Sequence, residues 1–158
     1  MIDPERFEAL KEKTHKLFLQ NPLVRCPFFG SEVTLNSDGF HHLQFSARRE
    51  RAKEEQVLKF SLVPLALQVI RKSGTHQEYR KTLEIVGEKK RDGFSPSKKV
   101  QYWAFVAIIG EKPIKIRVIL RQIGDGKIVF WSVMPAMKLS RDESENIRQL
   151  AKHGIEDE

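Results

Sequence analysis

Two arginines and a serine in residues 112–135, KPIKIRVILRQIGDGKIVFWSVMP, are the residue types that bind a phosphate group. Arg117 and Arg121 lie four residues apart in an alternating apolar and polar run, which places both on one face of a β-strand. A Gly-Asp-Gly turn at 124–126 then reverses the chain into a second strand that carries Ser132. Guanidinium groups bind phosphate through charge-assisted hydrogen bonds, and a hydroxyl can add another. The stretch predicts a β-hairpin with a phosphate-binding face.

The register of this hairpin decides which side chains share the arginine face. Pairing Ile123 with Ile128 across the turn predicts that Ser132 and Phe130 lie on that face, with Lys115 further along it. The two arginines would then be about 13 Å apart along the strand, so each would meet a different phosphate. Phe130 could stack a base. A register shifted by one residue would move the serine to the opposite face, and the alternative function of the arginines is a solvated cationic edge.

Cleavage of a ribose phosphodiester without a metal needs a base, an acid and cations around the phosphorus. Histidine suits proton transfer because its ordinary pKa lies near neutral pH. If residues 40–45 form a strand, His42 points away from the inward-facing Leu43, toward the side where a ligand would lie. His42 is therefore our candidate acid/base, and the alternative is a histidine without chemistry. His76, close in sequence to Arg80, is a possible second candidate on a basic loop.

Metal chemistry is not expected from this sequence. Adjacent histidines in a strand point to opposite faces, and their spacing from Cys26 matches no zinc motif. Ser132 lies in FWSVMP and lacks the Gly-x-Ser-x-Gly elbow of a hydrolase. We predict a protein with no metal and no cofactor.

Composition limits the partners and the compartment. The net charge of +7 favours polyanions, because each phosphate that lysine or arginine neutralises releases counterions. Cys26 is the single cysteine, which we interpret as buried packing in a reducing compartment. The longest apolar run, 102–109, is too short to span a bilayer as a helix, and the amino terminus does not resemble a signal peptide. We expect a soluble cytoplasmic protein that does not bind a membrane.

The order of the predicted elements indicates the α+β class: an antiparallel β-sheet packed against helices. The sheet consists of a meander over residues 100–134 plus an N-terminal strand. A single domain, 1–158, is predicted, with helices 3–20 and 140–153 as flanking elements. Between them we predict a strand at 32–35, a strand or helix entry at 40–45, a surface helix capped by Ser46, a separate helix opened by Pro64 and closed by Ser73-Gly74, and an extended basic loop from 74 to 99 that could include a short strand at 83–86.

Three motifs in this order, GFHHLQF, VPLALQVI and KIRVILRQIGDGKIVFWSVMP, resemble the barnase, EndoU, colicin and RelE superfamily of ribonucleases. The likeness is greatest to its phage- and mobile-element-associated members and covers residues 32–135. It implies a four-stranded antiparallel sheet on a helical layer, whose exposed face cuts RNA, often tRNA or mRNA. Members are typically toxins restrained by an immunity protein or antitoxin, so an acidic protein partner is implied as well.

Carried onto this chain, the resemblance implies that His42 is the acid/base, Arg117 the phosphate clamp and Ser132 the hydroxyl of the last strand. Arg121 would contact the substrate, and cleavage would leave a 2′,3′-cyclic phosphate. A second acid/base has no clear match. The competing interpretations are a non-catalytic nucleic-acid-binding or phage structural module that uses the same basic face, and a protein-interaction domain neutralised by an acidic partner.

Overall fold

The computed structural model describes residues 2–75, 78–85, 97–109 and 114–136, and it confirms the α+β class. The predicted helix 140–153 and His76 lie outside these residues. Neighbouring strands of the sheet run in the order β1-β2-β6-β5-β4-β3, and every pair is antiparallel except the parallel pair β2 and β6. The elements are α1 (Pro4–Gln20), β1 (Leu23–Cys26), β2 (Ser31–Thr34), α2 (Ser37–Gln44), α3 (Lys53–Lys72), β3 (Glu78–Ile85), β4 (Ser97–Ile109), β5 (Ile114–Ile123) and β6 (Ile128–Pro135).

The meander predicted over 100–134 is confirmed as β4, β5 and β6. The sequence predicts an extended loop over 74–99 with at most a short strand at 83–86, whereas the structure has the edge strand β3 over Glu78–Ile85, paired along β4. The polar composition of these residues gives no clear strand signal, because an edge strand needs few apolar residues. Two N-terminal strands, not one, extend the opposite side of the sheet.

The main core lies between one face of the sheet and the three helices. Strand residues that alternate toward this face are buried with residues of all three helices, while the intervening residues form a second, smaller cluster on the other face. Cys26 is fully buried in the main core, as predicted. The sheet residues of the main core include Trp103, Phe105, Ile116, Val118, Leu120, Phe130 and Val133, and the second cluster contains Val100, Tyr102, Ala104 and Ile119.

Residues 40–44 of the segment left open between strand and helix belong to helix α2, and Phe45 is its extended C-cap. Asn36 caps this helix, and its side-chain oxygen accepts hydrogen bonds from the backbone N–H groups of Asp38 and Gly39. Gly39 lies directly against β6, where an added Cβ would overlap the carbonyl oxygen of Phe130. The cap and the glycine together fix how closely α2 approaches the last strand.

The predicted cap at Ser46 is wrong. Its hydroxyl oxygen accepts hydrogen bonds from the N–H groups of Arg48 and Arg49, at 3.3 Å each, and so closes a local turn. Helix α3 begins only at Lys53, after Ala52. It is also not a surface element, because it carries the largest share of the buried helix residues.

The separate helix predicted to open at Pro64 is wrong as well. Pro64 lies inside α3, which continues to Lys72 and ends at Ser73 as predicted. An internal proline removes one helical hydrogen bond and strains the preceding turn. Val63 and Leu67, which flank it on the buried stripe, pack into the main core, and that burial offsets the cost.

A β-bulge changes the register that the sequence predicts for β5 and β6. Beyond the bulge the prediction is confirmed, with Ile119 opposite Ser132 and Arg117 opposite Met134. Nearer the turn it is wrong by one residue. Trp131 is the extra residue on β6, and Phe130 consequently faces the main core, where it is fully buried. Phe130 therefore does not share the arginine face and is not available to stack a base.

Candidate active site

His42 lies on the buried side of α2, against the bulged residue of β6. Its ring stacks on Trp131, with ring centroids 4.1 Å apart and an interplanar angle of 17°. Only 5% of its surface is exposed. The expectation that it points away from the core assumed a strand. On a helix, His42 follows Gly39 by three residues and precedes Leu43, so it shares their buried side.

Arg51 fixes the protonation pattern of this imidazole. Its Nη2 lies 3.2 Å from Nε2 of His42, and its Nε donates to the backbone oxygen of the same histidine at 3.0 Å. Arginine has only donors, so Nε2 must accept and the ring proton must be on Nδ1. Glu55 accepts a hydrogen bond of 2.9 Å from Nη1 of the arginine and holds it in place.

The environment keeps His42 neutral. Burial first, and then the nearby positive charges of Arg51, Lys59 and Arg121, lower the pKa of the imidazole from 6.5 to about 2. Both causes disfavour the charged form, since it would be desolvated and would face other cations. These charges also show that the three basic residues, from separate parts of the chain, lie around one imidazole.

Lys59 and Ser132 meet beside this group. The Nζ of Lys59 donates to Ser132 Oγ at 2.9 Å and to the backbone oxygen of Val133 at 3.2 Å. Both side chains are buried, with 3% of Lys59 and none of Ser132 exposed. Since an ammonium group has no acceptor, the serine oxygen accepts this hydrogen bond. We call His42, Arg51, Lys59, Trp131 and Ser132 the buried polar centre.

The two predicted arginines have different surroundings. The guanidinium carbon of Arg121 lies 4.2 Å from the centroid of the Trp131 ring, which connects it to the buried polar centre, and Nη2 lies 3.8 Å from Glu84. Arg117 instead forms an ion pair of 2.6 Å with Glu78 of β3. The predicted grouping thus brings together His42, Ser132 and Arg121, and places Arg117 at a separate ion pair.

Two further predicted contacts lie away from the centre. Lys115 is exposed on β5, six residues and about 20 Å along the strand from Arg121. Arg80 is exposed on β3, in register with Tyr102, which is itself in register with Arg121. Arg80 is thus two strands away on the same face. Burial is the main cause that raises the pKa of the intervening Tyr102, whose hydroxyl bonds to Glu84.

A pocket of about 220 Å³ opens next to Trp131, between the start of α2 and the β5–β6 turn. Gly124 of this turn has a φ of +54°, which glycine adopts without strain. Because Trp131 both lines this pocket and belongs to the buried polar centre, the two sites adjoin each other. It is lined by Asp38, Arg121, Ile123, Gly126, Lys127, Val129 and Trp131.

The sequence reasoning missed Arg51 and Lys59. A helix starting at Ser46 gave the lysine no special position, whereas the apolar stripe of Val63, Leu67 and Ile70 extends backward by four residues to Lys59. A lysine on an apolar stripe is rarely buried without a polar partner. That spacing could have identified Lys59, but Arg51 precedes α3 and carries no comparable signal.

Within the part of the chain that the structure describes, no three His, Cys, Asp or Glu side chains are placed to hold a metal ion. Over the same residues, none of the helices has the length and apolarity needed to span a bilayer. Comparison of the chain with protein-family models, with curated proteins and with solved structures gives no match.

Proposed function

We propose that the protein is a metal-independent endoribonuclease that works at the buried polar centre. One observation carries the proposal: an imidazole from α2, an ammonium group from α3 and a hydroxyl from β6 converge, with Arg51 and Arg121 close by. The sequence predicts both His42 and Ser132 as site residues, and the resemblance to the ribonuclease superfamily implies the same two.

The proposed reaction is transfer of the phosphoryl group from the 5′-oxygen to the adjacent ribose 2′-oxygen. The 2′-oxygen forms a bond to phosphorus, its proton passes to a base, and the bond to the 5′-oxygen breaks as an acid protonates it. The products are a 2′,3′-cyclic phosphate and a 5′-hydroxyl. His42 exchanges a proton, Lys59 and Arg121 stabilise the charge on the phosphorane, and the Ser132 hydroxyl holds the ammonium group of Lys59 in place.

The phosphate itself would activate the imidazole. In the free protein Arg51 occupies the Nε2 lone pair, and positive charges contribute to the low pKa. A bound phosphodiester accepts hydrogen bonds from Arg51 and releases that lone pair. Its negative charge also offsets the cations and raises the pKa of His42 toward the range that proton transfer needs. The clamp role proposed for Arg117 passes to Lys59 and Arg121, because Arg117 is bound to Glu78.

The direct test is incubation of the purified protein with total tRNA in EDTA. Wild type is expected to cut the RNA, and His42→Ala is expected to lose roughly 10²–10⁴-fold in rate, the usual contribution of acid/base catalysis. His41→Ala is the matched control, because His41 is the exposed neighbour on the same helix. Intact RNA with wild type, or equal cutting by the His42 and His41 variants, would refute the proposal.

The second candidate is a nucleic-acid-binding module without catalysis. It is favoured by the burial of His42 and by the hydrogen bond that occupies its lone pair. It predicts RNA binding whose affinity falls steeply with salt, with no cleavage in EDTA and the same affinity for His42→Ala and wild type.

A further inference from the structure

We infer that the pocket next to Trp131 holds one unpaired nucleobase of the bound strand, and that it prefers a base with an exocyclic amino group. The inference rests on the proposed function in taking RNA as the ligand. It goes beyond that function by assigning a base-binding site and a preference to residues that take no part in the proton transfer.

The walls of the pocket suit a flat, apolar ring. Trp131, Ile123 and Val129 line the pocket, and because His42 and the Arg121 guanidinium group cover the two faces of the indole, the plane on which a base can stack is that of Arg121. Its volume of about 220 Å³ lies below the about 300–1,000 Å³ typical of pockets for drug-sized ligands, so it matches a single base better than a whole nucleotide. Unpaired bases are commonly recognised by stacking on such side chains.

Two cations at the pocket provide for the phosphates on either side of that base. The guanidinium group of Arg121 lies over Trp131, and its buried Nε finds no hydrogen-bond acceptor among the described residues. Lys127 is exposed and reaches the pocket from the β5–β6 turn. A strand that places a base in the pocket would therefore have its backbone next to positive charge.

Asp38 gives the pocket its preference. Asp38 lies in the first turn of α2, and at the pocket its carboxylate repels phosphate but can accept hydrogen bonds from the uncharged edge of a base. Carboxylates accept hydrogen bonds from the amino group of cytosine, and adenine and guanine carry amino groups too. Uracil presents a carbonyl oxygen where cytosine has its amino group, and this oxygen would face the carboxylate unfavourably.

Trp131 connects the base site to the proposed chemistry. The same ring lines the pocket and stacks on His42 at 4.1 Å. A base held in the pocket would place a neighbouring phosphodiester next to the imidazole. The base bound in the pocket would thereby determine which phosphodiester bond is cleaved.

Uncleavable hexamers of deoxycytidine and deoxyuridine test the inference, because they lack the 2′-hydroxyl and differ in the base edge. In a Trp103→Phe variant, which leaves Trp131 as the only tryptophan, deoxycytidine should quench the fluorescence and bind about tenfold more tightly than deoxyuridine. Asp38→Asn should abolish most of this preference. Lys127→Ala should weaken both hexamers alike and reduce the salt slope by about one.

Filter binding of the same hexamers to the unmodified protein gives a second measurement should Trp103→Phe fail to fold. Equal affinities for the two hexamers, or a preference that Asp38→Asn leaves unchanged, would overturn the inference. Cleavage of tRNA together with equal hexamer affinities would refute the base site alone. Binding with the expected preference but without cleavage would instead support the base site and refute the nuclease.

Discussion

Two groups of basic side chains, on different parts of the sheet, differ in what they bind. In the buried polar centre, Lys59 donates to a hydroxyl and a carbonyl, and Arg51 divides its donors between the His42 imidazole and Glu55. On the outer face of β3 to β5, which we call the ion-paired face, Arg117 binds Glu78 at 2.6 Å. A one-sided run of cations in a strand therefore does not identify a phosphate site. The groups that neighbour those cations determine what the cations bind.

Replacing one cation in each region should give the largest difference. Lys59→Met removes an ammonium group from the proposed phosphate site and is expected to lower the cleavage rate by about 10²–10³-fold, as loss of a preorganised donor does. Arg117→Met should leave the rate within a few-fold of wild type. Single-turnover cleavage of tRNA in EDTA measures both, with circular dichroism to confirm folding. A larger loss for the Arg117 variant would reverse the comparison.

The close packing of α2 on β6 should give the next largest effect, a loss of stability of the fold. Gly39→Ala places a methyl group against the backbone of Phe130 and should destabilise the fold by about 1–3 kcal/mol, the usual cost of overpacking. Gly74→Ala is the matched control, because an added Cβ at Gly74 meets nothing within 4 Å. Urea unfolding measures both changes. Equal midpoints would show that α2 can shift, and that the position of His42 is not fixed by this contact.

The neutral state of His42 predicts a dependence of stability on pH. Its pKa is about 2 in the folded protein and 6.5 as the ordinary value, so between these values the unfolded chain binds a proton that the folded one does not. Stability therefore falls as the pH drops below 6.5, by about 1.4 kcal/mol per pH unit from this residue. His42→Gln should remove about 2 kcal/mol of the loss between pH 7 and pH 5, measured by urea unfolding.

His41→Gln is the matched control, because it makes the same substitution at the exposed neighbour on the same helix. An unchanged pH dependence in the His42 variant would mean that the imidazole is protonated in the folded protein. That result would contradict its placement among the cations of the buried polar centre.

The ion-paired face should give the smallest effect. Arg117 and Glu78 form a pair whose glutamate side chain is 53% exposed, and such pairs contribute about 0.2–1 kcal/mol. A double-mutant cycle with Arg117→Met and Glu78→Gln, followed by urea unfolding, is expected to give a coupling energy in this range that shrinks with salt. A coupling energy above this range would mean that water has little access to the ion pair.

Strand alternation predicted most of the sheet, and it correctly put Arg117 and Ser132 on one face. It could not predict the bulge at Trp131, because a bulge depends on how the last strand fits α2 and has no local signal in FWSVMP. That single residue removed Phe130 from the arginine face and brought Trp131 to His42.

The long-range partners were the least predictable part of the site. Glu78 lies in a segment whose polar composition predicts a loop, so its ion pair with Arg117 was hidden. Lys59 is 73 residues from Ser132, and only the helical stripe through Val63 indicated that it is buried. Residue types in the sequence identify an imidazole and a hydroxyl as candidates. The charged groups that control the reactivity of both come from tertiary contacts.

The most direct measurement uses an oligonucleotide with a single ribonucleotide among deoxynucleotides, incubated with the protein in EDTA. The proposed mechanism predicts one cut, after the ribonucleotide, with a 2′,3′-cyclic phosphate identified by mass spectrometry. It predicts no cut with Lys59→Met or His42→Ala. An uncut strand with wild type, or cutting that persists in both variants, would contradict it.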